Sequence, residues 1–229
     1  MVKNHLKSLS APKTWAIKRK KQVYIVRPQG IGQSLSFTMP LGIVFKEMLK
    51  YCKTNSEVRK ILQEKEIYVD EKRVKRTDES IGLFSTLAIK TTNEYFRLTI
   101  NQNGKLELKK IDKEESTIRP SVIKNKKVLG KGSIQINLND GRNLLVKKND
   151  YKTGDSLILS LPAQEVKEHI ALGKGAIIIL TGGKHIGTTG TVEEIDKNKI
   201  KFVSKDKKTY ETEKRYAVAI GSKKPSVMV

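Results

Sequence analysis

Between Leu41 and Ile89 the hydrophobic period of the chain changes from helical to extended. Leu41, Val44, Phe45, Met48 and Leu49 recur at i, i+3, i+4, i+7 and i+8, the spacing of one buried helix face. Lys46, Lys50 and Lys53 fall off that face and point to solvent. Thr54-Asn55-Ser56-Glu57 fits a capping box, a hydroxyl at the N-cap and a carboxylate three residues on. A second short helix is predicted to follow through Val58 and Leu62. The period then drops to two: Ile67-Tyr68-Val69, a polar turn at Asp70-Glu71-Lys72, and Val74. Two short helices on a small hairpin are expected, with Arg59, Lys60, Lys72, Arg73, Lys75 and Arg76 at the polar edge.

Beyond Ile89 the pattern is that of strands. Phe96, Leu98 and Ile100 alternate with polar residues, and Asn103-Gly104 turns the chain into Leu106 and Leu108. Ile134, Ile136 and Leu138 run to Asp140-Gly141 and return through Leu144 and Val146. Asn-Gly and Asp-Gly between alternating runs are strong hairpin signals, because both residues tolerate positive φ. Leu157-Ile158-Leu159 reads as a strand ended by Pro162, and Val166, His169 and Ile170 as a short helix or turn. A further strand at Ala176–Leu180 enters a glycine-rich turn, Thr181 to Thr191, and returns through Ile200, Phe202 and Val203; a last strand is expected over Tyr216–Gly221.

Charge changes the picture of the first thirty residues. They carry eight Lys or Arg and no Asp or Glu, with little periodicity. Such a segment has too little apolar surface to fold alone, so an arm that orders on a partner is expected. Across the chain, 46 Lys+Arg stand against 24 Asp+Glu, a net charge of +22 and a pI near 9.9. That excess calls for a polyanion. With no apolar run of about 18 residues and no signal-peptide core, nucleic acid is favoured over a membrane surface, and the cytosol over export. Lys124, Lys126, Lys127 and Lys131 form one more cluster, either a solvated loop or a phosphate contact. The single Cys52 excludes an internal disulfide or a multi-cysteine metal site.

Three stretches carry resemblances. Helix, capped helix and the strand Ile67-Tyr68-Val69-Asp70 resemble the S-four-type RNA-binding domain, although Asp70-Glu71 stands where such domains often carry glycine. Strand, Thr181-Gly182-Gly183-Lys184-His185-Ile186-Gly187 and strand resemble a KOW motif, with Gly187 at its required glycine. That resemblance implies a loop passing close to RNA backbone. The run His5-Leu6-Lys7-Ser8-Leu9-Ser10-Ala11-Pro12-Lys13-Thr14-Trp15 is similar to the start of the small-subunit ribosomal protein family S-four-e of archaea and eukaryotes. Arg27-Pro28, Pro40-Leu41 and the glycine-rich turn match the same family in order. Eukaryotic members usually continue into a longer basic tail than Ser222-Lys223-Lys224-Pro225, so the resemblance implies an archaeal source.

The fold class expected is α+β and multi-module. Its parts are a basic arm (1–40), an S-four-type domain (41–90), a central β-rich domain (91–171), a KOW, SH3-like barrel (172–215) and a final strand with tail (216–229). The function implied is a structural constituent of the small ribosomal subunit, with ribosomal RNA and neighbouring ribosomal proteins as partners. The RNA-binding candidates are Lys7, Lys13, Trp15, Arg19, Lys20 and Arg27 in the arm. Arg59, Lys60, Lys72, Arg73, Lys75 and Arg76 follow in the first domain, Lys126 and Lys127 in the second, Lys184 and His185 in the last. Trp15 sits where an aromatic stacks on a base or plugs a protein surface.

No catalytic, metal or cofactor site is expected. His5, His169 and His185 form no zinc-binding pair in sequence, and no serine has a nucleophile-elbow context. The spacing Thr181-Gly182-Gly183-Lys184 does not meet the phosphate-binding loop of nucleotide enzymes. Two other classes stay open: a KOW-containing transcription or translation factor, and an RNA-modifying enzyme carrying an S-four-type domain.

Overall fold

The structure, a computed structural model, describes residues 5–30, 32–129, 132–147, 150–204, 207–222 and 225–228. Lys131 and the Lys223-Lys224 pair lie outside the described residues. The fold is mostly β with a few short helices, and it divides into two units. One holds the chain to residue 99 together with 105–117; the other holds 100–104 and the chain from 118 onward.

In the first unit β1 (His5–Lys7) pairs antiparallel with β2 (Tyr24–Val26). Arg19 holds the chain between them, its guanidinium donating to the Ala11 and Pro12 carbonyls at 2.6 Å each. Trp15 is fully buried and its Nε1 donates to the Leu35 carbonyl at 3.3 Å. This corrects the expectation of an arm that stays unfolded until it meets a partner. The segment builds no core of its own but lends Ala11, Trp15 and Ile25 to that of its unit.

β3 (Thr38–Pro40) leads into α1 (Leu41–Ile43), and the chain then winds as a π-helix over Val44–Met48. Leu41, Val44 and Phe45 are buried as expected, but Met48 and Leu49 are only half-buried. The wider π turn takes them off the face that an α-helix would have kept in line. Lys50, at φ +58°, ends the element. α2 (Asn55–Glu64) starts on the predicted box: Thr54 Oγ1 accepts the Glu57 N–H at 3.2 Å. The Glu57 carboxylate reaches one residue further back than expected, to the Lys53 N–H at 2.8 Å. Val58 and Leu62 turn inward.

Next come β4 (Ile67–Val69), β5 (Lys72–Arg73) and β6 (Ser80–Gly82), which returns to pair with β3. β7 (Thr86–Ile89), β8 (Glu94–Ile100) and β9 (Leu106–Lys110) complete a five-stranded sheet of order β5-β4-β7-β8-β9. The boundary expected after residue 90 therefore falls inside a sheet, because β7 pairs with β8 along its whole length. β8 is buried on both faces from Tyr95 to Ile100, Arg97 included. The Arg97 guanidinium meets Glu115 of the short α3 (Lys113–Ser116) at 3.1 Å.

The second unit contains two five-stranded antiparallel sheets. β10 (Ile118–Val128), β11 (Ile134–Leu138), β12 (Asn143–Val146), β13 (Ser156–Ser160) and β14 (Val166–Ile170) have the order β12-β11-β10-β13-β14. Residues 166–170, expected as a helix or turn, are thus a strand, with Val166 paired to Leu159 and His169 to Leu157. β15 (Ile177–Leu180), β16 (Thr189–Ile195), β17 (Lys199–Ser204), β18 (Thr209–Glu213) and β19 (Ala217–Gly221) have the order β18-β17-β16-β15-β19. β13 explains why both sheets form one unit. Leu157 and Leu159 join Ile123, Ile136 and Leu138 in one core. Ile158, on the opposite face, joins Ile170, Ile178, Leu180, Val192 and Phe202 in another.

Candidate nucleic-acid interface

Each basic side chain is placed by its element. α2 buries Val58 and Leu62, which leaves Arg59 and Lys60 exposed on its opposite side. Lys60 lies 3.8 Å from Glu64, an exposed pair of the i, i+4 kind. β5 is a two-residue edge strand, so Lys72 and Arg73 are exposed, and Lys75 follows them to the surface. Lys7, Lys13 and Lys20 are exposed, and Arg27 is half-buried. In the second unit Lys127 and Lys184 are exposed.

Five of the sequence-predicted residues are committed elsewhere. Trp15 is buried, as described. Arg19 holds backbone carbonyls. Arg76 forms a two-point pair with Asp78, Nε to Oδ1 at 2.9 Å and Nη2 to Oδ2 at 2.6 Å. That pair holds the Asp78 carboxyl below the usual range and lifts the guanidinium above its own. Lys126 donates its ammonium to the Tyr151 carbonyl. His185 is not at an exposed loop tip: its ring lies on Tyr210, centroids 4.1 Å apart, with Phe202 at 6.5 Å.

Other cations are neutralised in pairs. Lys199 meets Glu211 at 2.7 Å, Lys201 meets Glu194 at 2.8 Å and Arg215 meets Glu213 at 2.6 Å. Such exposed pairs add little stability. They do hold the carboxyls of Glu194 and Glu211 down and raise their lysine partners, which takes β17 out of the spare positive surface.

Gly187 has a reason inside the protein. It sits at φ +74°, where a side chain would run into the Asn101 carbonyl. Its N–H closes the loop on the Leu180 carbonyl at 2.7 Å. Backbone approach within its own unit accounts for the glycine. Cys52 is buried, which pushes its thiol up and leaves it a poor nucleophile. Among the described residues no cluster of three or more His, Cys, Asp or Glu is placed to hold a metal ion. No described helix is long and apolar enough to cross a membrane.

The sequence reading missed two polar hubs. Asp155 bonds His169 Nε2 at 2.8 Å and accepts the Leu172 N–H at 3.1 Å. Asp140 accepts the Ser121 hydroxyl at 2.9 Å and lies 3.6 Å from Arg119 and 3.7 Å from Arg142. Asp140 stood in a turn motif, which hid its burial; Asp155 has one local partner, the Lys152 N–H at 3.1 Å, but His169 and Leu172 stand 14 and 17 residues away with no local signal.

Known proteins place this arrangement. Residues 92–166 match the family described as Ribosomal family S4e, the S-four-e family above, and residues 2–30 match the RS4NT (NUC023) domain. The small ribosomal subunit protein eS4 of Methanococcus maripaludis is 34% identical over 98% of this chain and 97% of its own length. That of Methanocaldococcus jannaschii is 33% identical over the same shares. The crystal structure of the 30S ribosomal protein S4e from Thermoplasma acidophilum superimposes with a TM-score of 0.70 at 26% identity, over 81% of this chain and 95% of that one. With an N-terminal and a central match and archaeal relatives a third identical from end to end, the chain belongs to the S4e family of ribosomal proteins.

Proposed function

We propose that the protein is a structural constituent of the small ribosomal subunit, located on the ribosome in the cytoplasm. The observation that carries this reading is the family likeness over the full chain. Its partners in this reading are ribosomal RNA of the small subunit and neighbouring ribosomal proteins. The protein performs no chemistry of its own. A net charge of +22 supports an electrostatic mechanism: lysines and arginines neutralise phosphates and release condensed counterions. Residues 41–90 supply an S-four-type RNA-binding module whose sheet runs on into β8 and β9, and residues 172–215 a KOW module whose sheet takes in β19. Lys7, Lys13, Lys20, Arg27, Arg59, Lys60, Lys72, Arg73, Lys75, Lys127 and Lys184 contact backbone, whereas Trp15, Arg19, Arg76, Lys126 and His185 hold the protein in shape. Backbone contacts fix register and orientation without reading sequence.

Sedimentation of lysate through a sucrose gradient, at low and at high salt, tests the proposal. Co-migration with the small subunit and with whole ribosomes is expected to persist in high salt. Protein found only at the top of the gradient, or stripped by modest salt, would move the weight to a transient translation or transcription factor. The salt slope of RNA binding measures the phosphates engaged, at about −0.7 to −0.9 per contact.

A further inference from the structure

We propose that a cleft in the first unit receives one unstacked nucleotide of RNA, an inference that rests on the ribosomal reading above. The cleft lies between β2 and the first helical turn and encloses about 220 Å³. Its floor is apolar: Ile25 and Ile43 are 7% and 5% exposed. Tyr24, 53% exposed, forms a wall. The His5 ring packs on Tyr24 at 5.0 Å and 84°, which fixes the plane the tyrosine presents. Gln22, Lys46 and Asn55 supply polar groups at the edge. Lys46 donates to Asn55 Oδ1 at 3.2 Å, so the asparagine carbonyl is engaged and its NH₂ is the group left to donate.

Each feature matches one part of a nucleotide. An aromatic wall stacks a base, and stacking tolerates any base because every base has a π-face. Carboxamides meet the Watson–Crick or Hoogsteen edge of an unstacked base. A smaller cleft adjoins the first, sharing Gln22, Ile25, Ile43 and Lys46, and adds Lys18 and Lys21 for the flanking phosphates. Glu47 also lines that extension. The volume is below the roughly 300–1,000 Å³ of sites for larger small molecules, and suits a single base. The stacking role that the sequence pattern offered to Trp15 thus passes to Tyr24, nine residues on and open to solvent.

The test uses the full chain and the small-subunit ribosomal RNA of its own organism, with affinity measured at several salt concentrations. Ultraviolet cross-linking followed by mass spectrometry locates nucleotide adducts. Wild type is expected to give an adduct on Tyr24. Tyr24→Ala should weaken binding about tenfold, as loss of one base stack does, with an unchanged salt slope. Tyr24→Phe should retain the affinity. Lys21→Ala should lower the salt slope by about one phosphate. RNA bound tightly with no adduct at Tyr24, and Tyr24→Ala binding like wild type, would overturn the cleft and leave the ribosomal reading standing. A wild-type chain that binds no RNA would overturn both.

Discussion

Two turns begin with the same residue and are built in opposite ways. In the first unit Val69 pairs with Lys72, so Asp70 and Glu71 form a two-residue turn with both φ values positive, +49° and +61°. In the second unit Asp140-Gly141 closes a longer loop. Gly141 alone is left-handed, at +86°, and its N–H returns to the Leu138 carbonyl at 3.2 Å. The tight mirror-image turn thus falls on the pair without glycine, and the pair that advertises such a turn uses a looser one. Side-chain bonds account for the reversal. Asp70 is 7% exposed; its carboxylate accepts the Thr86 N–H at 3.0 Å and the Ser85 hydroxyl at 3.2 Å. Aspartate tolerates the left-handed region when such bonds hold it there. Asp140 accepts one local backbone N–H, that of Arg142 at 3.1 Å, and its buried carboxylate also lies beside two guanidiniums. Turn chemistry read from a dipeptide is therefore only half the specification.

The sharpest way to break the comparison is Asp140→Ala. It withdraws the carboxylate from Arg119 and Arg142, whose side chains are 4% and 17% exposed. Removing one partner of a buried ion pair costs about 3–5 kcal/mol. Urea unfolding followed by amide exchange in the second unit should show that loss, and Asp140→Asn a smaller one. A loss under about 1 kcal/mol for Asp140→Ala would mean that the carboxylate is only a turn residue. Asp70→Ala comes next. It deletes two buried hydrogen bonds and leaves alanine in a strained backbone region, a loss of about 1–3 kcal/mol. Trp15, the chain's one tryptophan and buried in the same unit, reports this unfolding directly. Asp70→Asn, which keeps an acceptor and tolerates positive φ, should recover part of the loss.

What the sequence made legible was the periodic part. The strands at 67–69, 134–138, 157–159 and 177–180 alternate or run apolar, and the structure places strands there. The Thr54 cap was readable because hydroxyl and carboxylate stand three apart on the chain. Three other features depend on partners distant in sequence. Residues 166–170 carry charges at 167 and 168, which hid a strand that is exposed on one side and pairs with β13. Trp15 donates to the distant Leu35 carbonyl and was read as part of an arm because the first thirty residues are basic and show little periodicity. Of the candidate RNA contacts, the exposed lysines followed from charge alone, whereas Arg19, Arg76 and His185 have partners within the chain that composition cannot show.

The smallest effect separates backbone strain from side-chain bonding in the tight turn. Glu71 stands at φ +61°, and its carboxylate lies 3.9 Å from Lys90, a partly exposed pair. A left-handed non-glycine residue costs about 1–2 kcal/mol. Glycine removes that strain but adds about 0.5–1 kcal/mol of chain entropy. The pair with Lys90 contributes only about 0–1 kcal/mol. Glu71→Gly should therefore leave stability nearly level, a slight gain on central values and a loss of no more than about 1 kcal/mol. Glu71→Gln keeps the strain and drops the charge, so it should be level or slightly less stable. Both are read from the same Trp15 unfolding curve. A clear loss for Glu71→Gly, with none for Glu71→Gln, would mean that φ at this position is not what limits the turn. The contrast with Gly141 would then rest on Asp70's bonds alone.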